Sequence, residues 1–407
     1  MDSDKGIFTD LRVIEVGSFV AGPAAATILG DLGADVVKVE QPGAGDPWRH
    51  QFRRPELPQS EANYAWMLTG RNKRSAAIDL KTEAGRALLQ RLIRHADVLV
   101  TNLPFRLRDT LGVGYEAMCA ANPRLVYASL TGYGEAGDER DESSFDTTGW
   151  WARSGLMDQA RAEPQGAPVK APAASGDHMS AVSLFGAIVS ALYRREKTGV
   201  GAYVGSSLLA NGAWQNAVYL QAALCGAEFR PVRKRSESSN PLNAHYLCRD
   251  QRWFSITINP GQQLRMWTTF SEIMECPELL TDDRFATYTA RMANNVALVS
   301  LLDRAFARHP AAEWKARFKG RGIVTSIVAR SRDVGDDQQM KVNDILVPLT
   351  GVAHAALTIS SPFFIRGSAK RPAGPAPEVG EHTDVLLREL GITDAEISRL
   401  KEAGVVQ

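Results

Sequence analysis

The stretch from Leu11 to Arg49, LRVIEVGSFVAGPAAATILGDLGADVVKVEQPGAGDPWR, constrains the fold more than any other. Leu11, Val13, Ile14 and Val16 form one short apolar run, and Val36, Val37 and Val39 form a second, the pattern of strands buried on both faces. Between them Gly22 and Pro23 open an Ala-rich helix that Gly33 closes. Proline is preset for a first helical turn, and glycine suits the position just past the last. Strand, helix and strand in this order make one βαβ unit with a right-handed crossover. The intervening loop excludes two common phosphate sites. Gly17 to Gly22 has the spacing of a P-loop, but Pro23 stands where the phosphate lysine belongs, and G-x-G-x-x-G is absent from the turn. No nucleotide redox cofactor is therefore expected.

The pattern continues in the same style. Ser75 to Leu80 alternates as a strand, and Thr82 is placed to cap a helix from about Glu83 to His95 with Leu88, Leu89, Leu92 and Ile93 on one face. Val98 to Val100, Leu125 to Leu130 and Gly201 to Ser207 read as further strands. This alternation predicts a mostly parallel, Rossmann-like α/β sheet covered by helices. Residues 135–175 lose periodicity, which in a compact domain marks a functional or mobile segment. They end at Ser175-Gly176-Asp177, before an apolar helix from about Met179 to Arg194.

After Leu224 the basic residues Arg230, Arg233, Lys234 and Arg235 read as a solvated linker face rather than a phosphate site, at the crossing into a smaller α+β domain. Tyr246–Cys248 and Trp253–Thr257 read there as a hairpin, followed by helices carrying Trp267, Phe270 and Phe306. The expected division is 1–224 for the first part of a large domain, 225–325 for an inserted small domain, and 326–407 for a return to the large one. Pro-rich 372–377 reads as an extended connection, and 384–405 as a helical pair.

Bulk properties narrow the function. A chain of 407 residues exceeds what one core supports. Forty-seven basic side chains nearly balance 46 acidic ones, so no global field points to nucleic acid or an anionic membrane. Cys119, Cys225, Cys248 and Cys276 form no C-x-x-C pair, so free thiols and no metal site are expected. The N-terminus lacks a signal-type apolar run, and no stretch has the roughly 20 apolar residues of a membrane span. A cytoplasmic protein is expected.

Several motifs occur in one order: V-A-G-P, D-L-G-A-D-V-V-K-V-E and P-G-A-G-D-P-W-R within the first unit, then N-K-R-S at 72–75, D-L-K-T at 79–82 and A-D-V-L-V-T-N at 96–102. N-P-R-L-V-Y-A-S-L-T-G-Y-G at 122–134, R-E-K-T-G at 195–199 and G-E-H-T at 380–383 follow. In these motifs, over almost its whole length, the chain resembles the class III CoA-transferases, the group of formyl-CoA and carnitine CoA-transferases. The resemblance implies acyl-CoA as a substrate, a small organic acid as partner, and a homodimer whose two chains pass through one another like linked rings.

It also implies residue roles. Asp177 lies between Gly176, which permits close approach of a ligand, and a helix start that favours a carboxylate as the anion. By local sequence alone it reads as an N-cap, and by the resemblance it matches the family's nucleophilic aspartate. Alanine at 181 replaces the usual glycine four residues on. The turn Val20-Ala21-Gly22-Pro23 would face the ligand at the carboxyl end of the first strand. Val20 replaces a glutamine that helps some relatives bind the acid. Asn72, Lys73 and Arg74 suit the CoA phosphates or else form a solvated turn, and Asn102 matches an asparagine lining the CoA site. Thr110 replaces a family arginine, for which Arg106 or Arg108 would substitute. Asp146, Trp150, Arg153 and Asn243 are assigned to the acid site, Arg153 as a bidentate partner for a second carboxylate or a sulfur oxyanion. Around Asn243 no glycine run supplies backbone donors. The related α-methylacyl-CoA racemases carry a histidine just before the position of Asp146, where this chain has Phe145, which exchanges no proton. A racemase and a CoA-binding protein without catalysis remain the alternatives to a transferase drawing CoA from a short donor such as succinyl-CoA.

Overall fold

The computed structural model describes residues 6–229 and 234–407; Arg230 and Arg233 of the basic linker lie outside them. Six strands, β1 (Arg12–Glu15), β2 (Asp35–Glu40), β3 (Lys73–Ala77), β4 (Val98–Thr101), β5 (Val126–Thr131) and β6 (Ala202–Ser207), form one sheet in the order β3-β2-β1-β4-β5-β6. Every neighbouring pair is parallel. The order reverses at β1, so the crevice between the carboxyl ends of β1 and β4 is the topological switch point, where open α/β sheets take their ligands.

Helices cover both faces, as buried parallel strands require. On one face lie Ala21–Asp31 and the long Ser175–Thr198, whose Ala24, Ala25, Ala26, Ala181, Leu184 and Ile188 share a core with Val13, Val36 and Val98. The alanines leave room for the helices to pack closely against the strands. On the other face Leu88, Leu89 and Leu92 of helix Glu83–Ile93 meet Leu386, Leu387 and Ile397 of the final helical pair. Thr82 caps the 83–93 helix by accepting from the Gly85 N–H.

The chain divides into two compact units. The larger holds residues 1–157, 170–227 and 338–407, and the smaller holds 158–169 and 228–337. The return comes at 338, later than the expected 326: a third strand, β9 (Val324–Ile327), pairs antiparallel with β8 (Trp253–Thr257), and a short helical turn at Ser331–Asp336 follows it within the smaller unit. The expected hairpin partner, β7 (Asn243–Leu247), lies on the other side of β8. Tyr246, Phe254, Phe306, Trp314 and Phe318 pack the core of this unit. Among the described residues no helix is long and apolar enough to cross a membrane.

Candidate active site

Charges inside the apolar strands build the floor of the switch point. Glu15 ends β1 and Lys38 interrupts the valines of β2; both are fully buried, so each needs a partner. Lys38 Nζ lies 2.6 Å from Glu15 and 2.8 Å from Asp46, and donates to the Gly17 carbonyl at 3.1 Å. Lys73 Nζ lies 2.6 Å from Glu15 and donates to the Pro23 carbonyl at 2.7 Å. Burial pushes the Lys73 ammonium down to about 8 against the opposing pull of Glu15, while the carboxylates around Lys38 hold it above its ordinary value. Two buried ammonium groups therefore pin both ends of the Gly17–Pro23 loop.

Asn102, just past β4, closes the loop from the other side. Its Oδ1 accepts from the Ser18 N–H at 2.9 Å and its Nδ2 donates to the Ser18 carbonyl at 2.8 Å. A Cβ on Gly17 would lie 2.6 Å from Asn102 Oδ1, so a larger residue there would push the Asn102 amide off Ser18. Val20, Ala21, Gly22 and Pro23 are all buried in this clamped turn.

The segment before the long helix carries the second half of the site. Asp146–Ala152 is a π-helix, a rare form that recurs at functional sites. It buries Asp146, whose Oδ2 has no hydrogen-bond partner, and lays Trp150 over Gly176. Gly176 was expected to admit a ligand; the group it admits is the indole, since a Cβ there would fall 2.5 Å from the ring. Ala174, at φ 60°, turns the chain into the helix, and Asp177 is its third residue rather than its cap.

Asp177 was expected to be held as an anion by the helix start. Burial and the charge of Asp146 act the other way and push its carboxyl up to about 7. Two carboxylates with one displaced toward neutrality are a recurrent catalytic arrangement. His178 is pushed below its ordinary value, first by burial and then by the Arg71 charge, so it is neutral at pH 7.

The phosphate candidates are only partly brought together. Lys73 is bound by Glu15, and Arg74 by Asp35 and Glu389, so both charges are met within the chain rather than turned to a phosphate. Asn72, at φ 60°, bonds Asp31 and the Gly374 N–H. Arg108 is buried, donates to the Leu103 carbonyl and Ser129 Oγ, and leaves Nη2 without a partner. Its guanidinium lies 4.4 Å from the Phe105 ring, with Arg140 at 4.1 Å, a cation that the sequence did not single out. Arg106 is exposed beside them. Arg153 is engaged by Glu139 at 3.1 and 3.2 Å. Asn243 belongs to the smaller unit, where it accepts from Thr257 Oγ1. A cavity of about 1050 Å³ elsewhere in the larger unit, lined in part by Arg71, Phe363 and Lys370, includes neither aspartate.

The missed residues had a signal. A lysine within Val36-Val37-Lys38-Val39 must be paired if the run is a buried strand. Phe19 gave none: its φ of 62° and its contact with Phe145 appear only in three dimensions.

Comparison with known proteins decides the family. The model of CoA-transferase family III matches residues 8–383. The chain belongs to this family. It is 29% identical to the (R)-2-hydroxy-4-methylpentanoate CoA-transferase of Clostridioides difficile over 98% of both chains. It is 30% identical to the succinyl-CoA:glutarate CoA-transferase of Mus musculus, over 98% of this chain and 89% of the relative. The crystal structure of a CAIB/BAIF family protein from Brucella suis superposes with a TM-score of 0.83 at 28% identity, covering 96% of this chain and 99% of that one. Class III CoA-transferases use acyl-CoA, so CoA esters are the substrates this family membership brings.

Proposed function

We propose that this family III CoA-transferase moves CoA from a short acyl-CoA donor to a small organic acid through covalent intermediates on Asp177. The observation that carries the reading is the half-buried Asp177 in the first turn of the 175–198 helix, its carboxyl pushed up by desolvation and by the charge of Asp146. CoA exchange between two acids consumes no water, so the acyl activation is stored on the protein. The Asp177 carboxylate attacks the donor thioester carbonyl and expels CoA thiolate, leaving an aspartyl anhydride. The thiolate attacks the aspartyl carbonyl, releasing the donor acid and leaving an aspartyl-CoA thioester. The acceptor carboxylate then attacks that thioester, re-forming an anhydride and freeing thiolate. Attack of the thiolate on the acceptor acyl carbon yields the new CoA ester and restores Asp177.

Family membership leaves the acid open, since the two curated relatives act on a branched hydroxy acid and on a dicarboxylate. Succinyl-CoA is the first donor to try. The CoA phosphates are assigned to Arg106, Arg108 and Arg140 around Phe105, in place of the arginine missing at Thr110. A homodimer is proposed from the helices Leu208–Gln215 and Ala217–Leu224, which leave Trp214, Val218 and Leu224 more than 80% exposed, an apolar face that a second copy would cover.

The test is incubation with succinyl-CoA or acetyl-CoA and a panel of acids, read by mass spectrometry for new CoA esters. Transfer that Asp177→Ala abolishes supports the reading. Absence of transfer, with α-deuterium entering a branched acyl-CoA from heavy water, would replace it with a racemase.

A further inference from the structure

The Phe19 and Phe145 rings meet edge to face, with centroids 5.7 Å apart at 84°. Phe145 directly precedes Asp146, whose charge acts on Asp177, and its side chain is 60% exposed. Phe19 opens the clamped loop and directly precedes Val20. An aromatic residue at φ 62° is a costly conformation, held only where the surroundings enforce it. Here they do: the Phe19 N–H donates to Asp46 Oδ1 at 3.0 Å, and Asp46 is fixed in turn by buried Lys38 at 2.8 Å. The buried ionic floor thus presents one aromatic ring against another, directly before the carboxylate whose charge acts on Asp177. Strain stored at such a point is a reason to look for function there.

The electrostatics agree. The charge that acts on Asp177 is a second carboxylate, Asp146. Arg153, the cation assigned from sequence to a second acid group, is held by Glu139. Arg71, whose charge reaches His178, is closed into a pair with Asp31 at 2.7 Å. Val20 and Ala21 add only apolar groups. A second carboxylate laid on these rings would gain nothing from their apolar faces and would face the like charge of Asp146.

Resting on the transferase reading, we infer that Phe19 and Phe145 form the acyl subsite and select monocarboxylic acids with an apolar body, branched or aromatic, over dicarboxylates. The donor acyl group passes the same rings, so its thioester belongs to the same class, which sets an apolar acyl-CoA ahead of succinyl-CoA as donor.

The experiment uses the full chain with acetyl-CoA, 3-methylbutanoyl-CoA and succinyl-CoA as separate donors, and 4-methylpentanoate, 3-phenylpropanoate and glutarate as acceptors. Because Phe145 is exposed, Phe145→Ala keeps the fold, which circular dichroism checks. The expected result is a kcat/KM for the two apolar acids at least ~10-fold above glutarate, with Phe145→Ala cutting that ratio ~10-fold, mainly through KM. Transfer to glutarate equal to or better than to the apolar acids, or a ratio that Phe145→Ala leaves unmoved, overturns the subsite while the transferase reading stands. No new CoA ester from any acid overturns the reading itself, and the subsite with it.

Discussion

The Trp150 indole lies so close over Gly176 that a Cβ on the glycine would stand 2.5 Å from two ring atoms and 2.8 Å from the Trp150 Cβ. The π-helix that carries Asp146 and the helix that carries Asp177 are thereby set against one another by a single missing methyl group. Gly176→Ala should lower kcat/KM on the order of 100-fold and depress the thermal midpoint by several degrees, because neither the ring system nor the helix backbone yields cheaply. In a Trp150→Ala background the same substitution should add little. A double-mutant cycle on thermal midpoint and turnover checks this; additive losses would show that the two residues do not act on one another.

The carboxyl pair makes a signed pH prediction. With Asp177 pushed up to about 7, its anion, the proposed nucleophile, fills in as pH rises, so kcat/KM should climb through neutrality and level off above it. Asp146→Asn removes the neighbouring charge and should move the rise to lower pH, though burial still holds Asp177 above an ordinary carboxyl. Stability follows the same shift. The folded chain keeps a proton that the unfolded chain gives up near 3.8, so stability falls as pH rises from about 4 to about 7. Asp177→Asn should abolish that slope and raise the thermal midpoint at pH 8 relative to wild type, an effect on the order of 1–2 kcal/mol. Midpoints measured from pH 5 to pH 8 for both proteins provide the check.

Breaking the ionic floor should be more severe. Lys38→Met leaves Glu15 with Lys73 alone and Asp46 without its ammonium, a loss of roughly 3–5 kcal/mol. It also releases the Gly17 carbonyl and the aspartate that fixes Phe19, so thermal scans and acid selectivity should change together. Arg153→Ala, which breaks only an exposed pair with Glu139, should alter stability by less than about 1 kcal/mol.

Much of this fold was readable because local chemistry and tertiary role coincide. The valine runs could only be buried parallel strands, Thr82 sits where a cap belongs, and the alanines of 24–26 mark a helix packed closely on others. The helix that carries Asp177 was legible from the apolar run after Ser175-Gly176. The failures share another cause. Lys73 and Arg74 looked like phosphate ligands because sequence displays a charge but not its counterion, and Glu15, Asp35 and Glu389 come from distant positions. Gly176 looked like room for a ligand because the chain does not announce which ring will fill the space. The late return at 338 was hidden because β9 is a short, half-exposed strand with no apolar run of its own.

The central claim is that the acceptor acid bonds to Asp177, and isotope transfer tests it most directly. When the acceptor carries ¹⁸O in both carboxyl oxygens, attack on the aspartyl thioester puts one of them in the anhydride bridge. Thiolate attack on the acyl carbon then leaves it on Asp177. The account predicts that the peptide containing Asp177 gains about 2 Da in a single turnover, and that Asp177→Ala loses transfer on the order of 1,000-fold or more. Transfer to the labelled acid with an unlabelled Asp177 peptide would contradict it.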